Sequence, residues 1–571
     1  MGFRSLQRPT GERVADQVDG LSFGASSAPV PTGLQYLLRP EATALPSVQP
    51  AGLQYLLRPE AIHAEALSQV PRTDSDANLT KRMDNDSAPG DAPAKRRKAE
   101  SLSSLAFLMG CMIQAHPRSE KLVENLVLLN ALGIDLGTMC SGTDCPLLAV
   151  SATAAWLNAE FRRRSVTTSV RATLVISRFA CEADAEVRAW ILANWRPPKI
   201  FTDVCRLVTF DHRATCAVAG TAVPVDTVSV SIAGTSCKRF SSACSSAGRA
   251  TPASLHDVLE SNSSIDTLKG FMQYTEVHGS SLTMIENVPL TAQADANGLS
   301  TRDLVESDWR RQGRHARDAL INGNTFVPEH RDRIYLWSHR SSADREQEIQ
   351  AGLAAMKTAA AQQRLALDAY LLPPNPAYLE RLLTQAIAAR DQNLEDGFGG
   401  KWTEDHEARQ LELQASGNWH YIDSVAMLAE FSAWPGAQAF TPREKSIVKL
   451  KIGQHGRSLE HGVFDISQSE CRSCARFDGD LPCIMPNRKY VLWRLGAKRS
   501  LSWLSGWELL KVQMAITCEK HLMTGFPRIR HFSDALLHRL AGNSFCCPAF
   551  ACAFLAVIGA MDKADIESLK S

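Results

Sequence analysis

The 571-residue chain lacks several features that would classify it at once. It has almost no excess charge: 62 Lys and Arg stand against 61 Asp and Glu, a formal net charge of +1. No overall positive field therefore points to a polyanion partner. It lacks a cysteine framework. Fifteen Cys in so long a chain, without the spacing of a small secreted scaffold, imply mostly buried, reduced thiols. The opening MGFRSLQRPTG has no apolar core of a secretory signal, and Leu6 with Ser5 one place early misses the myristoylation pattern. Long apolar runs are missing too, because residues 549–561 fall short of the roughly eighteen that a membrane span needs. These absences lead to the expectation of a soluble, intracellular protein with no membrane partner. With 44% apolar and 22% charged residues, the chain is otherwise of globular composition.

Composition changes along the chain. Residues 1–100 are rich in Pro, Ala, Ser, Asp and Gly, which predicts a disordered N-terminal tail that cannot bury enough apolar surface to offset its ordering entropy. The tail repeats one phrase, GLQYLLRPEA, at 33–42 and 52–61, too few copies for a solenoid. Lys81-Arg82 and Lys95-Arg96-Arg97-Lys98 have the spacing of a bipartite nuclear localisation signal, and so predict a nuclear import receptor as partner and the nucleus as location.

From about residue 102 the pattern alternates. A helix is predicted over 121–132, and strand-like runs follow at 133–139, 173–181, 199–203, 227–233, 281–287 and 333–338 with helices between. Such alternation predicts an α/β fold with a doubly wound, mostly parallel sheet. Residues 341–391 read as mostly helical, 392–487 as irregular, and 501–560 as helical again. In doubly wound sheets the ligand lies beyond the carboxyl ends of the strands. Those ends carry Cys140-Ser141-Gly142-Thr143, then Glu182, Asp203, Gly234 through Ser241 with Cys237 inside it, and Glu286-Asn287. An acid after the second strand suits ribose hydroxyls, and one after the third suits an adenine amino group. Cys237 is flanked by Lys238 and Arg239, which favour the thiolate.

This ordered set, with PEHRDR at 328–333 and Gly542-Asn543 near the end, resembles the DNA (cytosine-5) methyltransferase family. The resemblance covers about 133–560 apart from the middle third of that span. It implies a Rossmann-like, S-adenosylmethionine-dependent methyltransferase with a smaller target-recognition lobe inserted into it. The implied organisation is a first catalytic part at 101–340, the insert at 341–490 and a completing part at 491–571. By position, Cys237 would be the nucleophile at cytosine C6, Glu286 the acid at N3, Arg333 a base contact and Arg331 its support. Cys140, Ser141, Gly142, Thr143, Glu182, Asp203, Asn543 and Ser544 would hold the donor. No metal is implied, since Cys471, Cys474 and Cys483 with His455 and His461 form an incomplete zinc set.

The chemistry agrees with the resemblance: C5 of cytosine is a poor nucleophile until a thiolate adds at C6 and an acid protonates the ring. In a duplex, the base must leave the stack to reach both groups. The chain departs from the family pattern at Cys140, where an aromatic is usual, at Asp144 for the second Gly, at Ser236 for Pro, at Lys238 for Gln and at Glu329 for the Gln that opens the R-x-R motif. DNA is the expected partner. A structured RNA is the alternative substrate, and a catalytically degenerate nucleic-acid-binding protein is the alternative of another class. Arg162-Arg163-Arg164, Lys238-Arg239, Arg310-Arg311, Arg314, Arg317, Arg331 and Arg333 are expected to form a local positive cleft despite the neutral total.

Overall fold

The computed structural model describes residues 105–167, 169–236, 266–292, 294, 298, 300–341, 344–371, 380, 383–388, 390–391, 401–456, 462–467, 475–493, 501–514 and 532–570. The expected tail, its repeat and both basic clusters lie outside them, as do Cys237, Lys238, Arg239, His461, Cys471 and Cys474.

The parallel strands follow from short runs of apolar residues that are buried on both faces. They are β1 (Asp135–Met139), β2 (Ile176–Cys181), β3 (Ile200–Phe201), β6 (Val230–Gly234) and β7 (Leu282–Asn287). Strand β1 pairs parallel with β2 and β6, β2 with β3, and β6 with β7. The chain therefore runs outwards to one side and then restarts on the other, which puts a switch point between β1 and β6. Successive residues face opposite sides. Ile232 and Met284 join one core, whereas Ala233 and Ile285 join the other, as the period-2 pleat requires.

The expected mostly parallel sheet is extended by antiparallel strands at both edges. Strands β4 (Arg213–Cys216) and β5 (Thr221–Pro224) form a hairpin outside β3, while β8 (His315–Asn322) and β9 (Asp332–His339) follow β7. The complete order is β5-β4-β3-β2-β1-β6-β7-β9-β8. The sequence reading omitted β4, β5 and β8, because edge strands carry polar residues that blur the apolar run.

Helices cover both faces. One layer contains α1 (Leu105–Ala115), α2 (Ser119–Leu132), α3 (Cys145–Arg163) and α7 (Glu346–Gln363), and the other contains α5 (Asp266–His278) and α6 (Thr301–Arg311). The apolar helix α13 (Cys547–Ala560) is buried among α1, α2, α3 and α7. By length and composition alone, 534–560 is apolar enough to cross a membrane, yet 94% of its apolar window is buried inside the fold. It is also interrupted between α12 (Asp534–Asn543) and α13. It is read as core.

The expectation of irregular chain over 392–487 is corrected. Helices α8 (Lys401–Ala415), α9 (Tyr421–Ala433) and α10 (Pro442–His455) lie there, followed by an antiparallel sheet of β10 (Val463–Asp465), β11 (Ala475–Arg476), β12 (Tyr490–Trp493) and β13 (Leu501–Trp503). Helix α10 begins at a capping box in which Thr441 and Glu444 satisfy each other's backbone N–H groups, a signal present in the T-P-R-E sequence. Ile447, Val448 and Ile452 pack with Phe431, Phe440, Phe464 and Trp493 into a separate core.

Gly542 joins the two parts of the chain. A Cβ there would collide with the backbone of Met485 and Pro486. We expect Gly542→Ala to lower stability by about 1–3 kcal/mol, as overpacking does, read as a reduced urea midpoint of the whole chain.

Candidate active site

The register levels the strand ends. Met139 is opposite both Cys181 and Ala233, Cys181 is opposite Phe201, and Gly234 is opposite Glu286. Residues just beyond each strand, Cys140, Glu182, Asp203 and Thr235, therefore share one edge.

The turn after β1 has a repeated left-handed backbone: φ is 52° at Cys140, 65° at Gly142 and 62° at Asp144. Left-handed residues alternating with others turn successive N–H groups into one concavity, which suits an anionic group. Gly142 is required for a second reason, because a Cβ would sit 2.8 Å from the Asn543 carbonyl oxygen. Ser544 Oγ donates to Thr143 Oγ1 at 2.8 Å, and the Trp195 indole donates to the Thr143 carbonyl at 3.0 Å. The structure thus brings Ser141, Gly142 and Thr143 together with Asn543 and Ser544. A close backbone cradle of this kind fits the methionine end of an adenosyl donor.

On the other side of that turn, the Cys140 thiol is pushed up by burial and then by Glu182, Cys205 and Asp203, so these four side chains share one electrostatic neighbourhood. Glu182 accepts from the Asp184 N–H at 3.0 Å, and burial pushes its carboxyl up. It does not cap the next helix; Asp184 does. Asp203 does act as a cap, accepting from the Cys205 N–H at 2.9 Å, while its second oxygen remains 3.9 Å from Arg206.

At the β6 and β7 ends, buried Glu286 lies 2.8 Å from Arg333 Nε, an ion pair whose angle is outside hydrogen-bond geometry. Asn287 donates to Thr235 Oγ1 at 2.8 Å, and the Ser236 N–H donates to Thr267 Oγ1 at 2.8 Å. The root of the segment leading to Cys237 is therefore pinned next to the Glu286–Arg333 pair. Arg331 points elsewhere: its guanidinium donates to the carbonyls of Ile484 (2.9 Å), Gly542 (3.3 Å) and Ser544 (2.7 Å).

The expected positive cleft is corrected at Arg163, Arg164, Arg310, Arg311, Arg314 and Arg317. Arg163 and Arg164 pair with Glu160, Arg310 with Glu306, Arg311 with Asp308, and Arg317 with Asp344 and Glu346. Arg314 is buried and bonded to Ser280 and Ser338. His315, next to it, is level with His339 and hence with Leu282, at the start of β7, so this group lies at the opposite edge from the strand ends.

Two features were not anticipated. His330, Asp478 and Asp480 bring ligand-type atoms within 4.8 Å of one another. Each carboxylate already pairs with an arginine, Arg476 or Arg364, so the group acts as a joint between the 328–333 loop and the insert. Asp144 is the other. It is fully buried, accepts from Ser141 Oγ at 3.3 Å, and its Oδ2 has no hydrogen-bond partner.

No family model matches the sequence. Over 349 residues the chain is 24% identical to a Cryptococcus neoformans protein described as DNA (cytosine-5-)-methyltransferase DMT5. The match spans 60% of this chain and 13% of that protein. The core itself, a mixed parallel and antiparallel sheet flanked by helices, is of the Rossmann-like methyltransferase type. Among solved structures, the Dnmt2 methyltransferase of S. pombe aligns at a TM-score of 0.36 and 10% identity, covering 74% of this chain and 98% of that one. The Entamoeba histolytica methyltransferase EhMeth aligns at 0.40 and 9% identity, covering 74% and 97%. At these scores they add nothing to the fold described above.

Burial pushes the Asp144 carboxyl up to about 6, opposed by its Ser141 and Thr138 neighbours. An acid whose folded value is raised binds its proton more tightly when folded, so stability falls as pH rises from the unfolded value of 3.8 through about 6. Roughly two pH units correspond to about 3 kcal/mol. We expect Asp144→Asn to raise the melting temperature of the ligand-free protein at pH 8, with the gain vanishing near pH 4.

Proposed function

We propose that the chain transfers a methyl group from S-adenosylmethionine to C5 of cytosine in a nucleic acid. The observation that carries this reading is the Glu286–Arg333 pair at 2.8 Å, one strand over from the pinned root of the Cys237 segment, with Gly234 and Glu286 in register. A nucleophile and an acid on adjacent strand ends can reach opposite parts of one pyrimidine ring.

The donor supplies an electrophilic methyl group on a sulfonium. Cys237 adds as the thiolate at C6, while Glu286, oriented by Arg333, gives a proton at N3 and leaves C5 electron-rich. After methyl transfer the C5 proton departs and the thiolate is eliminated, which restores Cys237. Arg331 is assigned a positioning role, since both of its terminal nitrogens donate to backbone carbonyls. Ser141, Gly142, Thr143, Asn543 and Ser544 are assigned to the methionine end of the donor, with Cys140 beside them. Glu182 is assigned to the ribose and Asp203 to the adenine.

DNA and structured RNA present the same ring to this chemistry, so both substrates remain within the proposal and the assay separates them. Action in the nucleus belongs to the same proposal and rests on the basic clusters at 81–82 and 95–98.

The test is covalent trapping on oligonucleotides containing 5-fluorocytosine, with duplex DNA and a tRNA run in parallel. The wild-type chain is expected to form a denaturant-resistant adduct only when donor is present, Cys237→Ser to form none, and Glu286→Gln to slow trapping by about 10²–10⁴-fold. An adduct that persists in Cys237→Ser overturns the nucleophile. Donor binding with no adduct on either polymer supports the binding-only alternative.

A further inference from the structure

The turn that closes on Asn543 and Ser544 contains one group the mechanism above does not use. Asp144 follows directly on the Gly142-Thr143 cradle and is 0% exposed. Its Oδ1 accepts from Ser141, in the same turn. Its Oδ2 is buried and makes no well-formed hydrogen bond, with only the Thr138 hydroxyl beside the carboxyl to lower its cost. Among the described residues no Lys, Arg or His pairs with it. A buried carboxylate without a counter-ion is unfavourable, and proteins retain one where a charge arrives from elsewhere. The side chains that meet its carboxyl, Ser141 and Thr138, are uncharged. A glycine at this position, as in the family pattern, would carry no charge at all.

We propose that Asp144 reads the charge of the cofactor, stabilising the positively charged methyl donor in the site but not the neutral demethylated product. This rests on the donor assignment made above. The donor carries a sulfonium, an ammonium and a carboxylate, a formal net charge of about +1 from ordinary group pKa values. On transfer, a bond forms between C5 and the methyl carbon with the electron pair of the ring. The pair of the broken sulfur–methyl bond stays on sulfur, which becomes a neutral thioether. The product therefore has lost the one charge that Asp144 can compensate. Its binding weakens, which favours exchange for fresh donor. Asp144 is a positioning residue in this scheme, acting through the field at the cradle and not on the reacting atoms.

The experiment is titration calorimetry of the full chain with S-adenosylmethionine, S-adenosylhomocysteine and sinefungin, an analogue with an ammonium in place of the sulfonium. The wild-type chain is expected to bind the two positively charged ligands about tenfold or more tightly than the thioether. Asp144→Asn is expected to remove most of that difference, leaving the thioether affinity unchanged. A melting curve of the variant checks folding. If the variant does not fold, the wild-type ratio still decides, since a thioether bound as tightly as both cations overturns the inference. Equal loss of affinity for all three ligands in Asp144→Asn overturns it as well. If the wild-type chain binds none of the three, the donor assignment falls and this inference falls with it; binding without charge discrimination overturns this inference alone.

Discussion

The Arg331 guanidinium is the point on which three distant parts of the chain depend. It is buried at the start of β9 and donates to Ile484 in the insert and to Gly542 and Ser544 at the end of α12. A buried cation is tolerable only with compensation. Here carbonyl dipoles supply much of it, and Glu329 supplies the charge from 3.8 Å. Glu329 is itself held by the Ile484 N–H at 2.7 Å and by Gln513. The acid that stands where the family has glutamine is thus the counter-charge in the joint. This joint ties the insert and the 542–544 segment to the start of β9.

That position matters because the cradle at Gly142 is only half made by its own turn. The other half arrives some 400 residues later in sequence, through the Ser544–Thr143 hydroxyl contact and the Cys145 thiol donating to the Phe545 carbonyl at 3.4 Å. Helix α13 drives the approach by burying a nearly continuous apolar surface among α1, α2, α3 and α7. Burial is non-directional and sets only the approximate location. The hydroxyl contact and the absence of a Cβ at Gly142 then fix the spacing. Joining parts so far apart in sequence carries a loop-closure entropy, which the apolar burial of α13 offsets.

The same division explains what the sequence could and could not convey. The five parallel strands were readable because burial on both faces demands a plain apolar run, and the acids Glu182, Asp203 and Glu286 were readable because a strand end fixes where the next residue lies. The edge strands were not readable, since one side of each faces water and mixed residues such as His315, Arg317 and Asp318 satisfy it. The insert helices left a signal at Thr441 and Glu444, but scattered Trp and Gly on either side outweighed it. The arginine count failed for a different reason. A charge can be counted in a sequence, but its partner cannot: Arg310 is neutralised by Glu306 four residues earlier, and Arg314 is buried under β9. The Glu286–Arg333 pair does bring an arginine to an acid at the strand ends.

The departures from the family pattern bear on whether the site is degenerate, and at Ser236 the geometry weakens that view. Cys140 is small where an aromatic is usual; its side chain packs against the core that holds Phe179 and Phe201, whereas Phe545 belongs to the core on the other face of the sheet and does not take the aromatic's place. Ser236 stands where proline would stiffen the approach to the nucleophile. A proline restricts φ but has no N–H to donate, and it is the Ser236 N–H that binds Thr267 at 2.8 Å while Asn287 holds Thr235. Rigidity lost from the backbone is replaced by two hydrogen bonds at the root of the segment. The departure at Ser236 is therefore a compensated substitution, as expected where the constraint acts on the shape of the site and not on each residue separately.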